Sequence, residues 1–159
     1  NTERMVREYA ERLYDSAAAA HIRLGASGGK AAAALADWKD KMRAHWGDVR
    51  VERVETGVDG VEVQVGDQLA VSAIVKLGRV EPSDVEVQAY FGEELNGHIA
   101  SPNSVRLERS EEAGREGAYV YKGAVPATES GSYGLNVRVI PTHPDLVQAH
   151  ELRLIAWGA

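Results

Sequence analysis

Before Val49 the apolar residues recur every three or four positions, and from Val49 onward apolar and polar residues alternate. That change of period divides the chain into a helical part and a strand part. Val6, Ala10, Leu13 and Ala17 keep helical spacing, with Met5, Tyr9 and Leu13 as an adjoining row and Thr2 placed as an N-cap. The spacing predicts a helix from Glu3 to about Ala20. It ends at GASGG, Gly25 to Gly29, because glycine carries the largest backbone entropy cost in a helix and readily adopts the left-handed cap. A second helix is predicted from Lys30 to His45, with Leu35, Trp38 and Met42 on one face, Lys39, Asp40 and Arg43 nearer the other, and Gly47 as its stop. Two helices on a short glycine linker cannot bury two apolar stripes together with Trp38 and Trp46. Each large side chain left in water would forfeit about 1.5–3 kcal/mol, so a partner surface is required, either the following domain or something missing from this chain.

The strand part begins with Val61, Val63 and Val65 around Glu62 and Gln64. After the turn GDQ, Leu69, Val71, Ala73, Val75 and Leu77 repeat the pattern. LGRVEPSD reads as a connection, Val85, Val87, Ala89 and Phe91 as the next strand, and GEELNGHIASPNS as a polar loop. Further strands are expected at Val105 to Glu108, Ala118 to Val125, Tyr133 to Ile140 and Glu151 to Trp157. Seven or eight strands in about 110 residues predict an antiparallel immunoglobulin-like β-sandwich. The fold class expected is therefore mostly β: two α-helices over residues 1–48, then a sandwich domain over residues 49–159.

A chain of 159 residues and 17.2 kDa has room for one such domain with a helical appendage. It has no cysteine, which excludes disulfides, thiolate zinc sites and cysteine nucleophiles and agrees with a cytoplasmic location. The net charge of -6 is uneven, +1 over residues 1–48 and -7 over residues 49–159, and argues against general affinity for nucleic acid or an anionic membrane. No apolar run approaches the roughly 20 residues of a membrane span. The opening NTERMVREY lacks both a secretion pattern and an initiator methionine, so the chain is expected to be a piece of a longer one.

Candidate chemistry is sparse. GASGGKA resembles a phosphate-binding loop only superficially, since its spacing is one residue short, Ala31 stands where a hydroxyl is needed, and a helix precedes it. Of His21, His45, His98, His143 and His150, the last two lie near Asp145, but the prolines on either side of His143, Pro141 and Pro144, point to a corner of the scaffold. No nucleophile elbow accompanies the serines, and the acidic SEEAGREG reads as a solvated hairpin loop. Tyr90, Tyr119, Tyr121, Tyr133 and Trp157 lie on strands, where rings can serve the core or stack on sugars.

NTERMVREYAERLYDSAA resembles the end of the catalytic region of bacterial α-glucan (glycogen/maltodextrin) phosphorylases. VGDQLAVSAIVKLGRVEPSDVEVQAYFG, especially Leu77-Gly78 and the entry from Pro82 to Val87, is similar to the C-terminal sandwich of one branch of that family, and GSYGLNVRVIPTHPDLVQAHELRLIAWG looks like its closing signature. Three blocks in order cover most of the chain; Gly25 to Lys30 is outside them. The resemblance implies a parent enzyme that moves glucosyl units from α-1,4-glucan to phosphate, releasing glucose 1-phosphate, with pyridoxal phosphate bound in a catalytic region absent here. Lys30, Lys39, Lys41, Lys76 and Lys122 match no cofactor motif, so no catalytic, cofactor-binding or metal residue is assigned to this chain. The fragment is expected to be inactive alone and structural or interdomain in role. Carbohydrate binding and subunit contact stand as alternatives. The implied partners are the parent's catalytic domain, against which the helices would pack, then α-glucan, and a second copy meeting through exposed helices.

Overall fold

The computed structural model describes residues 18, 22–57, 65–112, 115–127 and 133–158. Apart from Ala18, which is helical, the predicted helix from Glu3 to Ala20 lies outside these residues, as do most of the strand expected at Val61 to Val65 and His21.

The second helix, α1, spans Lys30–His45 as the spacing predicts. The glycines ahead of it form a 3-10 turn, Ala26–Gly29, in which Gly28 and Gly29 have φ of 66° and 80°. A further 3-10 turn, Trp46–Asp48, leads into the first strand.

Among the described residues seven strands follow: β1 (Arg50–Thr56), β2 (Gln68–Lys76), β3 (Val85–Leu95), β4 (His98–Glu112), β5 (Ala118–Pro126), β6 (Tyr133–Pro141) and β7 (Ala156–Trp157). Every pairing is antiparallel, in the order β1-β2-β5-β4-β3-β6-β7. The 15-residue β4 belongs to both layers: through Leu107 it pairs with β3, and from Glu108 it pairs with β5. One layer is therefore β1-β2-β5-β4 and the other β3-β6-β7 with the first part of β4, which is the strand distribution of an immunoglobulin-like sandwich.

Register follows from side-chain parity. Leu69, Val71, Ala73 and Val75 of β2 face Val125, Gly123, Tyr121 and Tyr119 of β5, while Val85, Val87, Ala89 and Phe91 of β3 face Pro141, Val139, Val137 and Leu135 of β6. A slip of one residue would turn each of these sets outward, so burial fixes the pairing. At Gly123 an added Cβ would meet Leu107 Cδ2 at 2.7 Å, leaving the space to that leucine.

Four expectations are corrected. GEELNGHIASPNS is no loop but the tip of the β3–β4 hairpin, since Asn96 and Gly97, with φ of 52° and 79°, form the two-residue turn whose twist matches paired strands. The strand foreseen only over Val105 to Glu108 is accordingly the long β4. β1 was not singled out, because a bulge between Val51 and Arg53 interrupts its alternation. The strand expected from Glu151 shrinks to Ala156–Trp157, because residues 149–152 form a turn and Arg153 has a φ of 55°.

The helix finds its partner within the chain. Leu35, Trp38, Met42 and Trp46 join one buried cluster with Val49, Val80, Val85 and Leu152, so the following domain supplies a partner surface for this helix. The Trp38 ring lies 4.8 Å from that of His143, tilted by 45°. Lys39 pairs with Glu151, and Lys41 Nζ lies 3.2 Å from Asp84 Oδ2. By register, the connections after β2 and β6 emerge at the same end of the sandwich, so α1 caps that end. Gly78 adjoins the cap: its φ is 58°, and an added Cβ would sit 2.6 Å from Asp48 Cβ.

Met42 is wholly buried. Met42→Ala should therefore lower the unfolding free energy by about 2–5 kcal/mol in urea denaturation, whereas Arg43→Ala, on the exposed face, should stay within about 0.5 kcal/mol.

Candidate functional site

The corner at His143 is built from the turn that follows β6. Thr142 N donates to Asp84 O at 2.9 Å and Leu146 N to His143 O at 3.1 Å, which tie the corner to the start of β3 and close it on itself. His143 Nδ1 accepts from Asp145 N at 3.1 Å, while one face of the ring meets Trp38. The side chain is thus engaged in holding the corner and the helix cap. His150 lies exposed in the later turn, His98 at the hairpin tip and His45 at the end of α1. Among the described residues, no group of three or more histidines, aspartates or glutamates is placed to hold a metal ion. Lys39 and Lys41 are paired with carboxylates across the cap, and Lys30 sits exposed at the start of α1.

Two surfaces combine polar and aromatic groups. The first is a cleft of about 380 Å³ where β4 leaves β3 to join β5. Its wall includes Glu81, Glu86, Arg106, Glu108 and Arg109, and Tyr121 lies at its base. Tyr121 is 4% exposed, and its hydroxyl has no partner among the described residues. Burial pushes the phenol above its ordinary value of 10.0; nearby Arg109 opposes this, Tyr119 adds to it, and Arg106 opposes it.

The second is the outer face of the β3-β6-β7 layer. Tyr90 and Trp157 meet edge to face with centroids 5.1 Å apart, and the Arg138 guanidinium lies 4.9 Å from the Tyr90 centroid and 5.8 Å from that of Trp157. Arg138 Nε donates to Gln88 Oε1 at 2.8 Å, and Gln88 Nε2 donates to Glu86. The short β7 is held in register by Gly158 N donating to Val137 O at 2.8 Å and by Asn136 Nδ2 donating to Gly158 O at 3.2 Å. Trp157 remains 43% exposed. The outward parity of Tyr90 could be read from the buried Val87, Ala89 and Phe91 around it. The partnership with Arg138 could not, because it depends on which strands are neighbours.

Residues 46–159 match the family described as the glycogen phosphorylase C-terminal domain. The chain belongs to that family. It is 32% identical over 154 residues to the glycogen phosphorylases of Mycobacterium bovis and Mycobacterium tuberculosis, covering 96% of this chain and 18% of each relative. It is also 32% identical over 160 residues to the maltodextrin phosphorylase of Thermococcus litoralis, covering 99% of this chain and 18% of that protein. The chain thus spans less than a fifth of the length of these relatives. As a glycogen phosphorylase C-terminal domain it carries the sandwich with its helical cap, and no helix among the described residues is long and apolar enough to cross a membrane.

Because its hydroxyl has no partner among the described residues, Tyr121→Phe should leave stability unchanged or raise it by about 1 kcal/mol in chemical denaturation. The raised phenol also sets a sign: below about pH 10 both folded and unfolded chains keep the proton, and above it the unfolded chain releases its proton first. Stability should therefore fall more steeply above pH 10 in the wild type than in Tyr121→Phe.

Proposed function

We propose that this domain is a non-catalytic C-terminal module of an α-glucan phosphorylase, an enzyme that transfers glucosyl units from α-1,4-glucan to phosphate and yields glucose 1-phosphate in the cytoplasm. Its role is structural and interdomain. The observation that carries the reading is the family match over residues 46–159, with relatives whose remaining length, more than four fifths, lies outside the aligned part. The pyridoxal phosphate of such an enzyme belongs to that larger part.

The surface supports an interdomain role at the capped end. Arg23 Nε lies 3.1 Å from Asp145 Oδ1 and Arg23 also donates to Pro144 O, which brings the exposed Ile22 and Val147 into one quarter of the surface. Ile22 is 71% exposed, and such apolar groups beside the helical lead-in offer a contact for the catalytic body.

Two measurements test this. The isolated chain, given maltooligosaccharide, phosphate and pyridoxal phosphate, should make no glucose 1-phosphate. Added to a catalytic region that lacks its own tail, it should raise that region's melting temperature, and Ile22→Asp with Val147→Asp should abolish the increase. Turnover by the isolated chain, or a catalytic region indifferent to its addition, would contradict the reading.

A further inference from the structure

Planar hydrogen-bonding groups and one exposed ring occur together on the β3-β6-β7 face. Strand parity places Glu86, Gln88 and Tyr90 outward on β3, Asn136 and Arg138 outward on β6, and Trp157 directly across from Arg138 on β7. Gln88 also has Arg106 of β4 as its cross-strand partner, and Arg106 and Glu86 both border the cleft above Tyr121. The strip therefore runs from the exposed indole, across three strands, into a concave end whose floor holds a buried hydroxyl without a partner among the described residues.

The strip is rigid before anything binds. Arg138 is fixed by Gln88 and stacked near both rings, Gln88 is bonded to Glu86, and the backbone beside Trp157 is held by Asn136. Preorganisation of this kind limits the entropy lost on binding. A protein interface places its aromatic anchor within an apolar core that excludes water. Here the ring meets Tyr90 and the Arg138 guanidinium, and Arg138 leads on to the Gln88 amide and the Glu86 carboxylate, so charges of both signs lie along the strip. A sugar fits that mixture: one face of a pyranose presents C–H groups to a ring, and its vicinal hydroxyls satisfy the donors and acceptors of planar side chains. A single exposed indole with polar neighbours in a row suits a chain of repeating sugars better than a phosphate or another anion, which Glu86 and Glu108 would repel.

We propose that this strip binds α-1,4-glucan, with Trp157 as the stacking platform, the Glu86–Gln88–Arg138 row and Arg106 engaging hydroxyls, and the Tyr121 cleft receiving one end of the bound segment. The choice of an α-glucan over other glycans rests on the phosphorylase reading above; the site itself rests on the geometry.

Native gels with and without glycogen, and with dextran as a control glucan, test it on the intact chain. Glycogen should retard the wild type and dextran should not. Trp157→Ala should weaken retention roughly three- to tenfold, the loss expected for one aromatic contact, while Trp157→Phe should keep most of it. Maltoheptaose should also shift the tryptophan emission of the wild type, since Trp38 and Trp46 are buried, and should not do so in Trp157→Phe. A circular dichroism spectrum identical to wild type keeps Trp157→Ala interpretable, and Trp157→Phe in the emission assay decides the matter if the alanine variant does not fold. Equal mobility with and without glycogen, or unchanged emission, overturns the proposal. If Trp157→Ala instead abolishes the stabilisation of a catalytic region while glycogen has no effect, the strip is a protein contact; the inference then fails and the phosphorylase reading stands. If glycogen retards the chain but no catalytic region responds to it, the reverse holds.

Discussion

The contact that the rest depends on is the apolar seam between α1 and the capped end of the sandwich, centred on Trp38 against His143. Leu35, Trp38, Met42 and Trp46 are all buried there, and each contributes on the order of 1.5–3 kcal/mol by leaving water. The ion pairs around the seam, Lys39–Glu151, Lys41–Asp84 and Arg23–Asp145, each keep one exposed partner and so contribute no more than about 1 kcal/mol apiece. Apolar burial decides whether the helix docks; the charged pairs fix its position along the corner. The seam is not fully satisfied, because Trp38 Nε1, Trp46 Nε1 and His45 Nδ1 are buried without partners among the described residues. Such groups cost about 1–3 kcal/mol each, which marks this side of the molecule as one that ordered water or an adjoining segment would complete.

Much of the sandwich was legible because burial on one face imposes a period of two, which β2 carries from end to end, β3 from Val85 to Phe91 and β5 from Tyr121 to Val125. The helix from Lys30 to His45 was equally plain, since glycines bound it on both sides. The reading failed where local geometry overrode composition. Asn96-Gly97 sat within polar residues that suggested a loop, yet the pair's positive φ values suit a two-residue hairpin turn. Leu152 and Leu154 resembled a strand beyond Glu151, but they are drawn toward the core by a turn that includes the left-handed Arg153. The candidate surfaces were half legible. Parity sends Tyr90 outward and Tyr121 inward, but no pattern in the chain says that β6 lies beside β3 or that β4 divides between layers. The Arg138 stack and the cleft are products of that topology.

The two surfaces proposed for contact and for binding adjoin one another, because Glu81, Pro82 and Ser83, in the connection at the capped end, line the Tyr121 cleft. The capped end carries α1, the His143 corner and the exposed Ile22 and Val147. The strip through Trp157 crosses the outer face of the β3-β6-β7 layer and meets that end at the cleft.

The central claim is that α1 and the sandwich form one cooperative unit, and hydrogen exchange under native conditions tests it most directly. Amides of residues 34–45 should exchange with the same free energy as those of β2 and β6, and destabilising the sandwich should lower both equally. If the helix amides exchange at rates close to those of an unfolded peptide while the strands remain protected, the seam does not hold the helix, and the account is wrong.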